Sequence, residues 1–239
     1  MRPSVQCDKS SGVDGDLLRI IDGLEMADGV FRPNAGSLAL AECVRGLSGS
    51  FLDLGAGTGF ISIVVSQSAD SLLATDCSTP AVRCAERNFR RFGVNAEARV
   101  SDMFESVAET FDYIVFNPPV QTRETELDRR FKNGLKQLLP TTLTALVSAV
   151  ARPVFKHSIR SVISRFYVEA SRHLNPGGTI FVNTLSSDIQ WLINLIAGGA
   201  QLTECRRSAQ FCIVAIKPFL PATKGVEGKV SRRAGATCC

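Results

Sequence analysis

Short apolar runs recur along the chain and alternate with stretches in which apolar residues return every three or four positions, the signatures of buried strands and amphipathic helices. Residues 15–27 predict a short helix, followed by the turn-like GVFRPNAG and a helix from Ser37 to Gly46. Ser50–Leu54 reads as a strand that breaks at the glycine-rich turn GAGTG, Phe60–Ser68 as a helix and Ser71–Thr75 as a second strand. Pro80–Phe92 reads as a helix whose early proline lacks an N–H that no partner would need there. Ala96–Val100 and Phe111–Phe116 are the third and fourth strands, each short and apolar as buried parallel strands are. Two or three helical stretches fall between Gln121 and Leu174, the last ending at the turn Asn-Pro-Gly-Gly. Thr179–Thr184 is the fifth strand, Ile189–Ala197 a helix and Gln210–Lys217 the final strand. Strands alternating with helices predict an α/β fold, with a mostly parallel sheet covered on both faces.

The 239 residues suffice for one sizeable domain with a short extension. A chain 45% hydrophobic and 21% charged is neither disordered nor fibrous. It has no apolar run long enough to span a membrane, so no membrane partner is expected, and its polar start, MRPSVQCDKSSGVDGD, lacks the core of a secretory signal, which predicts the cytosol. The eight cysteines show neither a CxxC pair nor zinc-ligand spacing, and read as reduced structural thiols with no metal. The terminal Cys238-Cys239 pair lacks the usual lipidation pattern and belongs to a tail, residues 218–239, expected to be basic and disordered. The net charge of +4 is unevenly spread: residues 121–172 carry ten Lys/Arg against four Asp/Glu. Such a segment either faces an anionic partner such as nucleic acid or is a solvated helix face.

In an open α/β sheet, ligands bind outside the carboxyl ends of the strands, and three strand ends here carry informative residues. After the first, Gly55, Gly57 and Gly59 let the backbone turn tightly and approach a ligand, while Asp53 either holds a cationic amino group or fixes the loop. The spacing is Gly-x-Gly-x-Gly, not the Gly-x-Gly-x-x-Gly of dinucleotide sites. After the second strand, Asp76 stands where a carboxylate accepts both hydrogen bonds of a ribose diol, or where it merely opens the next helix. After the third, Asp102 can reach an adenine amino group, with Met103 and Cys77 packing on the ring faces; an exposed loop aspartate is the competing reading. The fourth strand ends in Asn117-Pro118-Pro119. Prolines lock that turn, so the amide oxygen of Asn117 and a neighbouring carbonyl become fixed acceptors for a planar –NH2 group. Such rigid positioning is what in-line methyl transfer needs.

With these pieces in order, residues 28–217 resemble a class I S-adenosylmethionine-dependent methyltransferase of the Asn-Pro-Pro group, closest to the HemK-like enzymes that methylate glutamine in release factors. The resemblance rests on GVFRPNAGSLAL, DMFESVAETFDYIVFNPP and FYVEASRHLNPGGTIFVN. It implies a Rossmann-like doubly wound sheet, mostly parallel with an antiparallel last strand. It implies that Gly55, Ala56, Gly57, Asp76, Asp102 and Met103 line the cofactor site, that Phe31 and Pro33 close over its methionine end, and that Asn117 with the Pro118 carbonyl orients the acceptor. Residues 1–36 then form an N-terminal extension and cofactor-closing segment, and 37–217 the methyltransferase domain, with a helical lid at about 121–172. Val120 departs from the family's Tyr or Phe, removing a stacking surface worth about 1–3 kcal/mol to a base.

The expected activity is N-methylation of an amide or amino group of a protein or small molecule. The alternatives are a nucleic-acid amino group, a metabolite methylated on carbon or oxygen, and a non-catalytic scaffold. His157 and His173 are expected at the surface, and Tyr167 and Trp191 in packing.

Overall fold

The computed structural model describes residues 14–118 and 160–219. Its framework is a seven-stranded sheet formed by β1 (Ser50–Leu54), β2 (Ser71–Asp76), β3 (Glu97–Val100), β4 (Phe111–Phe116), β5 (Leu174–Leu185), β6 (Ala200–Arg207) and β7 (Phe211–Pro218). The strand order is β3-β2-β1-β4-β5-β7-β6. Neighbours pair in parallel from β3 through to β5, and β7 runs antiparallel to both β5 and β6. The doubly wound sheet with an antiparallel last strand is therefore present. The chain winds outward through β2 and β3 and returns to place β4 beside β1, so the order reverses between β1 and β4. A crevice opens at such a switch point, here outside Leu54 and Phe116.

Alternation along the strands builds two cores. Phe51, Val115, Phe181 and Ile213 point to one face, where they meet Leu17 of α1 (Gly15–Gly23), Leu40 and Val44 of α2 (Ala35–Val44), Ile63 of α3 (Phe60–Val65) and Phe89 of α4 (Thr79–Phe92). Leu52, Ile114, Ile180 and Val214 point to the other. There they meet Ile163 and Phe166 of the helical residues 160–170 (α5), and Leu192 of α6 (Ile189–Ile196). Both faces are covered, which leaves the strand ends as the free edge of the sheet.

The helix starts follow local chemistry. Asn34 caps α2 by accepting from the N–H groups of Gly36 and Ser37, and the Ser37 hydroxyl answers the Asn34 N–H, a reciprocal capping box. Ser78 caps α4, Pro80 sits in its first turn, and Gly93 ends it in the left-handed region.

Some boundaries differ from expectation. The first helix stops at Gly23 rather than 27, because Glu25 donates its N–H to the buried Asn88 side chain at 2.7 Å and the chain extends. The third ends at Val65, short of Ser68. The Asn-Pro-Gly-Gly turn lies inside β5, which starts at Leu174 and pairs with β4 through a register shift between Phe111 and Tyr113. Strand β6 was not expected; it is an edge strand with little burial, and one extra residue at Cys205 bulges its pairing with β7. The part of the lid segment at 119–159 and the tail from residue 220 lie outside the described residues, as do Pro119, Val120 and His157.

Candidate functional site

A cavity of about 500 Å³ lies at the β1/β4 switch point, a volume suited to a small-molecule ligand. Phe31, Pro33, Asp53, Gly55, Ala56, Gly57, Asp76, Cys77, Asp102, Met103 and Asn117 all line it, so the sequence-derived cofactor residues converge on one space. Pro118 is buried beside Asn117 without lining the cavity. Ser37, Ser101 and Val162 also face it, and nothing in their local sequence signals that.

The glycine loop is shaped by two requirements. Gly57 has φ 56° and Gly59 φ 79°, both in the left-handed region. At Gly59 a Cβ would stand 2.6 Å from the Phe89 ring, so this glycine also admits the close approach of α4 to the start of α3. The loop is held to β2 by hydrogen bonds from the Gly55 and Ala56 N–H groups to the Thr75 carbonyl, at 2.7 and 2.9 Å.

Two carboxylates beside this loop, Asp53 of β1 and Asp76 at the end of β2, divide their work. Asp53 is buried, and its Oδ2 accepts from both the N–H and the hydroxyl of Ser62, at 3.0 and 2.6 Å. Of the two roles open to it, loop fixing is therefore filled by a visible contact. Burial pushes its carboxyl up to about 6, the Ser62 bonds pull it down, and the charge of Asp76 adds a smaller upward push. Asp76 is half-exposed; its Oδ2 accepts from the Gly57 N–H at 3.0 Å and its Oδ1 from the Ser78 N–H at 2.9 Å. Each oxygen keeps a lone pair, so the anchored carboxylate can receive both hydroxyls of a diol. Both readings of Asp76, helix opening and ligand binding, are thus geometrically compatible.

After β3 the chain makes a tight loop. The Ser101 hydroxyl donates to the Met103 carbonyl at 2.9 Å and accepts from the Ser106 N–H at 3.0 Å, and Met103 adopts φ 51°, the one non-glycine residue with positive φ among those described. Strain of that kind collects at binding sites. Asp102 is exposed at the rim, where Arg165 of α5 reaches its two oxygens at 3.3 and 3.4 Å. Phe31 stands half-exposed at the mouth. Opposite the glycine loop, Asn117 donates its Nδ2 to Ser37 at 3.0 Å and accepts at Oδ1 from Asn183 at 2.9 Å.

These features fit an adenosyl ligand: a diol-ready carboxylate, a backbone loop stripped of side chains, and an apolar shelf of Met103 and Phe116 in one cavity. Other candidates sit elsewhere. His173 stacks on Phe104 at 4.7 Å and contacts the Glu109 carbonyl through Nδ1. Tyr167 packs against the core, and Trp191 lies under Arg160, 5.1 Å from its ring centre. No group of residues among those described could hold a metal ion, and no helix among them is long and apolar enough to cross a membrane.

Comparison with known proteins adds an independent line. Residues 26–148 match the model of the methyltransferase small domain. A ribosomal RNA small subunit methyltransferase C from Escherichia coli is 28% identical over 185 residues, covering 75% of this chain and 44% of that protein. Its counterpart from Shigella flexneri gives the same figures. The chain thus spans under half the length of these relatives. Among solved structures, a ribosomal protein L11 methylase from Lactobacillus delbrueckii superposes with a TM-score of 0.58 at 17% identity, over 81% of this chain and 83% of that one. A 16S rRNA methyltransferase from T. thermophilus, in complex with AdoMet and guanosine, gives 0.55 at 18%, over 80% and 46%. At such identities the structural matches speak for the fold.

Proposed function

The chain belongs to the methyltransferase small domain family, and from that premise we propose that it transfers a methyl group from S-adenosylmethionine to the exocyclic amino nitrogen of a base in ribosomal RNA. The observation that carries the reading is the meeting of Asp76 and Asn117 across one cavity at the sheet's switch point. The first is anchored for a ribose diol and the second for an amino group. The nucleic-acid acceptor, an alternative on sequence grounds, gains weight from the 28% identical relatives, whose names specify ribosomal RNA.

S-adenosylmethionine, when bound, supplies an electrophilic methyl on a cationic sulfur, which the acceptor's lone pair displaces while its proton leaves to water. The chain's own residues have simpler tasks. Asp76 would hold the cofactor's ribose and Met103 and Phe116 would pack on its adenine, while Asp53 keeps the glycine loop in place. Asn117 Oδ1 accepts from an N–H of the acceptor and turns its nitrogen toward the methyl group. Preorganised acceptors of this kind lower a barrier because they need no rearrangement during reaction.

A basic surface also supports RNA. Arg83, Arg87, Arg90 and Arg91 share one side of α4, whose first turn borders the cavity, and among the described residues only Arg87 has an acidic partner, Glu25. Arg90 and Arg91 also suit the helix's C-terminal dipole, but Arg83 stands too far from that end to do so.

The test is transfer of labelled methyl from S-adenosylmethionine to unmodified ribosomal RNA, ribosomal protein and small-molecule fractions in parallel. Label is expected in RNA, recovered as an N-methylated base after nuclease digestion, and salt should suppress transfer steeply. Label confined to protein would favour an amide acceptor instead. Asp76→Ala should weaken cofactor binding about tenfold or more. Asn117→Ala should leave that binding nearly intact and lower turnover by about 100-fold; full activity in this variant would remove Asn117 from the mechanism.

A further inference from the structure

The side chain of Asn117 is one link in a hydrogen-bond chain whose direction can be worked out atom by atom. It begins at the N-cap of α2. Asn34 Oδ1 accepts from the backbone N–H groups of Gly36 and Ser37, at 2.9 and 3.1 Å. Backbone N–H groups only donate, so that atom is the oxygen of the amide. The Ser37 hydroxyl lies 3.3 Å from the same oxygen and also receives the Asn34 N–H at 3.1 Å. With its proton turned to Asn34, it accepts toward Asn117. The group it meets at 3.0 Å must then be Nδ2 of Asn117. This turns the amide's Oδ1 toward Asn183, which supplies a donor, Nδ2, at 2.9 Å.

Asn183 is only 1% exposed, in the middle of β5, and its own Oδ1 is buried without a partner among the described residues. An amide half satisfied in a sheet interior is costly where Val or Leu would be free of the cost. Its flanking positions Val182 and Thr184 are equally buried, and Thr184 makes no side-chain hydrogen bond to Asn117. The feature that sets position 183 apart is the donor it offers to Asn117.

We propose that Ser37 and Asn183 are positioning residues for methyl transfer, forming with Asn34 a one-way relay that locks the Asn117 amide in a single orientation. In that orientation Oδ1 keeps one lone pair for the acceptor's N–H. The flipped amide would present N–H groups to an amino group that also needs to donate, and would push the acceptor away. This rests on the role given to Asn117 above. It adds two residues contributed from elements 80 positions before and 66 positions after it in sequence.

The decisive variant is Asn183→Asp. A protonated carboxyl can donate to Asn117 Oδ1, whereas a carboxylate can only accept and repels it. Burial raises the pKa of such a carboxyl into a workable range, so turnover on transcribed small-subunit ribosomal RNA should fall by about tenfold or more between pH 5.5 and 8.5. Wild type should not show this loss. Asn183→Leu and Ser37→Ala should lose turnover at all pH values, about 10-fold to 100-fold. Asn183, which does not line the cavity, should be replaceable with cofactor affinity held within about twofold by calorimetry. A variant Asn183→Asp that keeps the wild-type pH profile, or a folded, cofactor-binding Asn183→Leu with wild-type turnover, would overturn the relay.

A second readout needs no acceptor. In protein labelled with 15N-asparagine, the Asn117 side-chain NH2 signal, identified by its absence in Asn117→Ala, should show slowed solvent exchange. Ser37→Ala, which removes the acceptor of that NH2, should abolish the protection. An unchanged signal would refute the relay even if RNA is methylated, and a lost signal would uphold it even if RNA is not the acceptor.

Discussion

Asp53 shows how one buried carboxylate leaves a measurable mark. Its carboxyl is lifted from the ordinary value to about 6, chiefly by burial. A group that holds its proton more tightly when folded contributes stability that is full below its unfolded value, near 4, and lost as pH rises through the folded one. Asp53→Asn stays neutral and can still accept from Ser62. The stability difference between wild type and this variant should therefore shift by about 2–3 kcal/mol in the variant's favour between pH 4 and 6.5, then level off. Denaturant melts across that range would reveal it, and parallel curves would refute it. Which residues were readable in advance follows a similar physical division. Gly55, Gly57, Asp76 and Asn117 announce themselves because a strand end needs those residue types locally. Ser37, Asn183 and Arg165 do not, because their contacts are made across the fold, to Asn117 and Asp102.

At the level of elements, the contact between α3 and α4 governs the shape of the cofactor loop. Gly59 combines a left-handed backbone with a Cβ position already taken by Phe89, 2.6 Å away. Gly59→Ala should cost about 2–4 kcal/mol, part backbone strain and part overpacking. Adding Phe89→Leu should cost less than the sum of the two single changes, since the smaller side chain makes room; strict additivity in a double-mutant cycle would disprove the clash. The elements themselves were legible where burial imposes a pattern: β1, β4 and β7 are apolar runs with flanking turns. Strand β6 was not, because AQLTECRR is mostly exposed and its pairing with β7 rather than its own side chains makes it a strand. The early end of α1 was equally hidden, depending on Asn88 in a distant helix.

Across the whole molecule, β1, β2 and β3 lead into the glycine loop, Asp76 and Asp102, while Asn117 and Asn183 come from β4 and β5 on the other side of the switch point. Nucleotide grip and acceptor placement are thus separable, as the expected contrast between Asp76→Ala and Asn117→Ala expresses. The sheet's outer margins matter too. At one end β3 is only four residues long and carries Glu97 and Arg99, paired with each other. At the other, the bulge at Cys205 interrupts β6 between Glu204 and Arg206, and Arg206 reaches inward to Glu42. Deleting Cys205 together with Arg206→Val would straighten and neutralise that margin. Light scattering should then report concentration-dependent self-association where the parent stays dispersed, and an equally dispersed variant would contradict this. That single surplus residue denies a passing strand the even selvedge it would need to knit on.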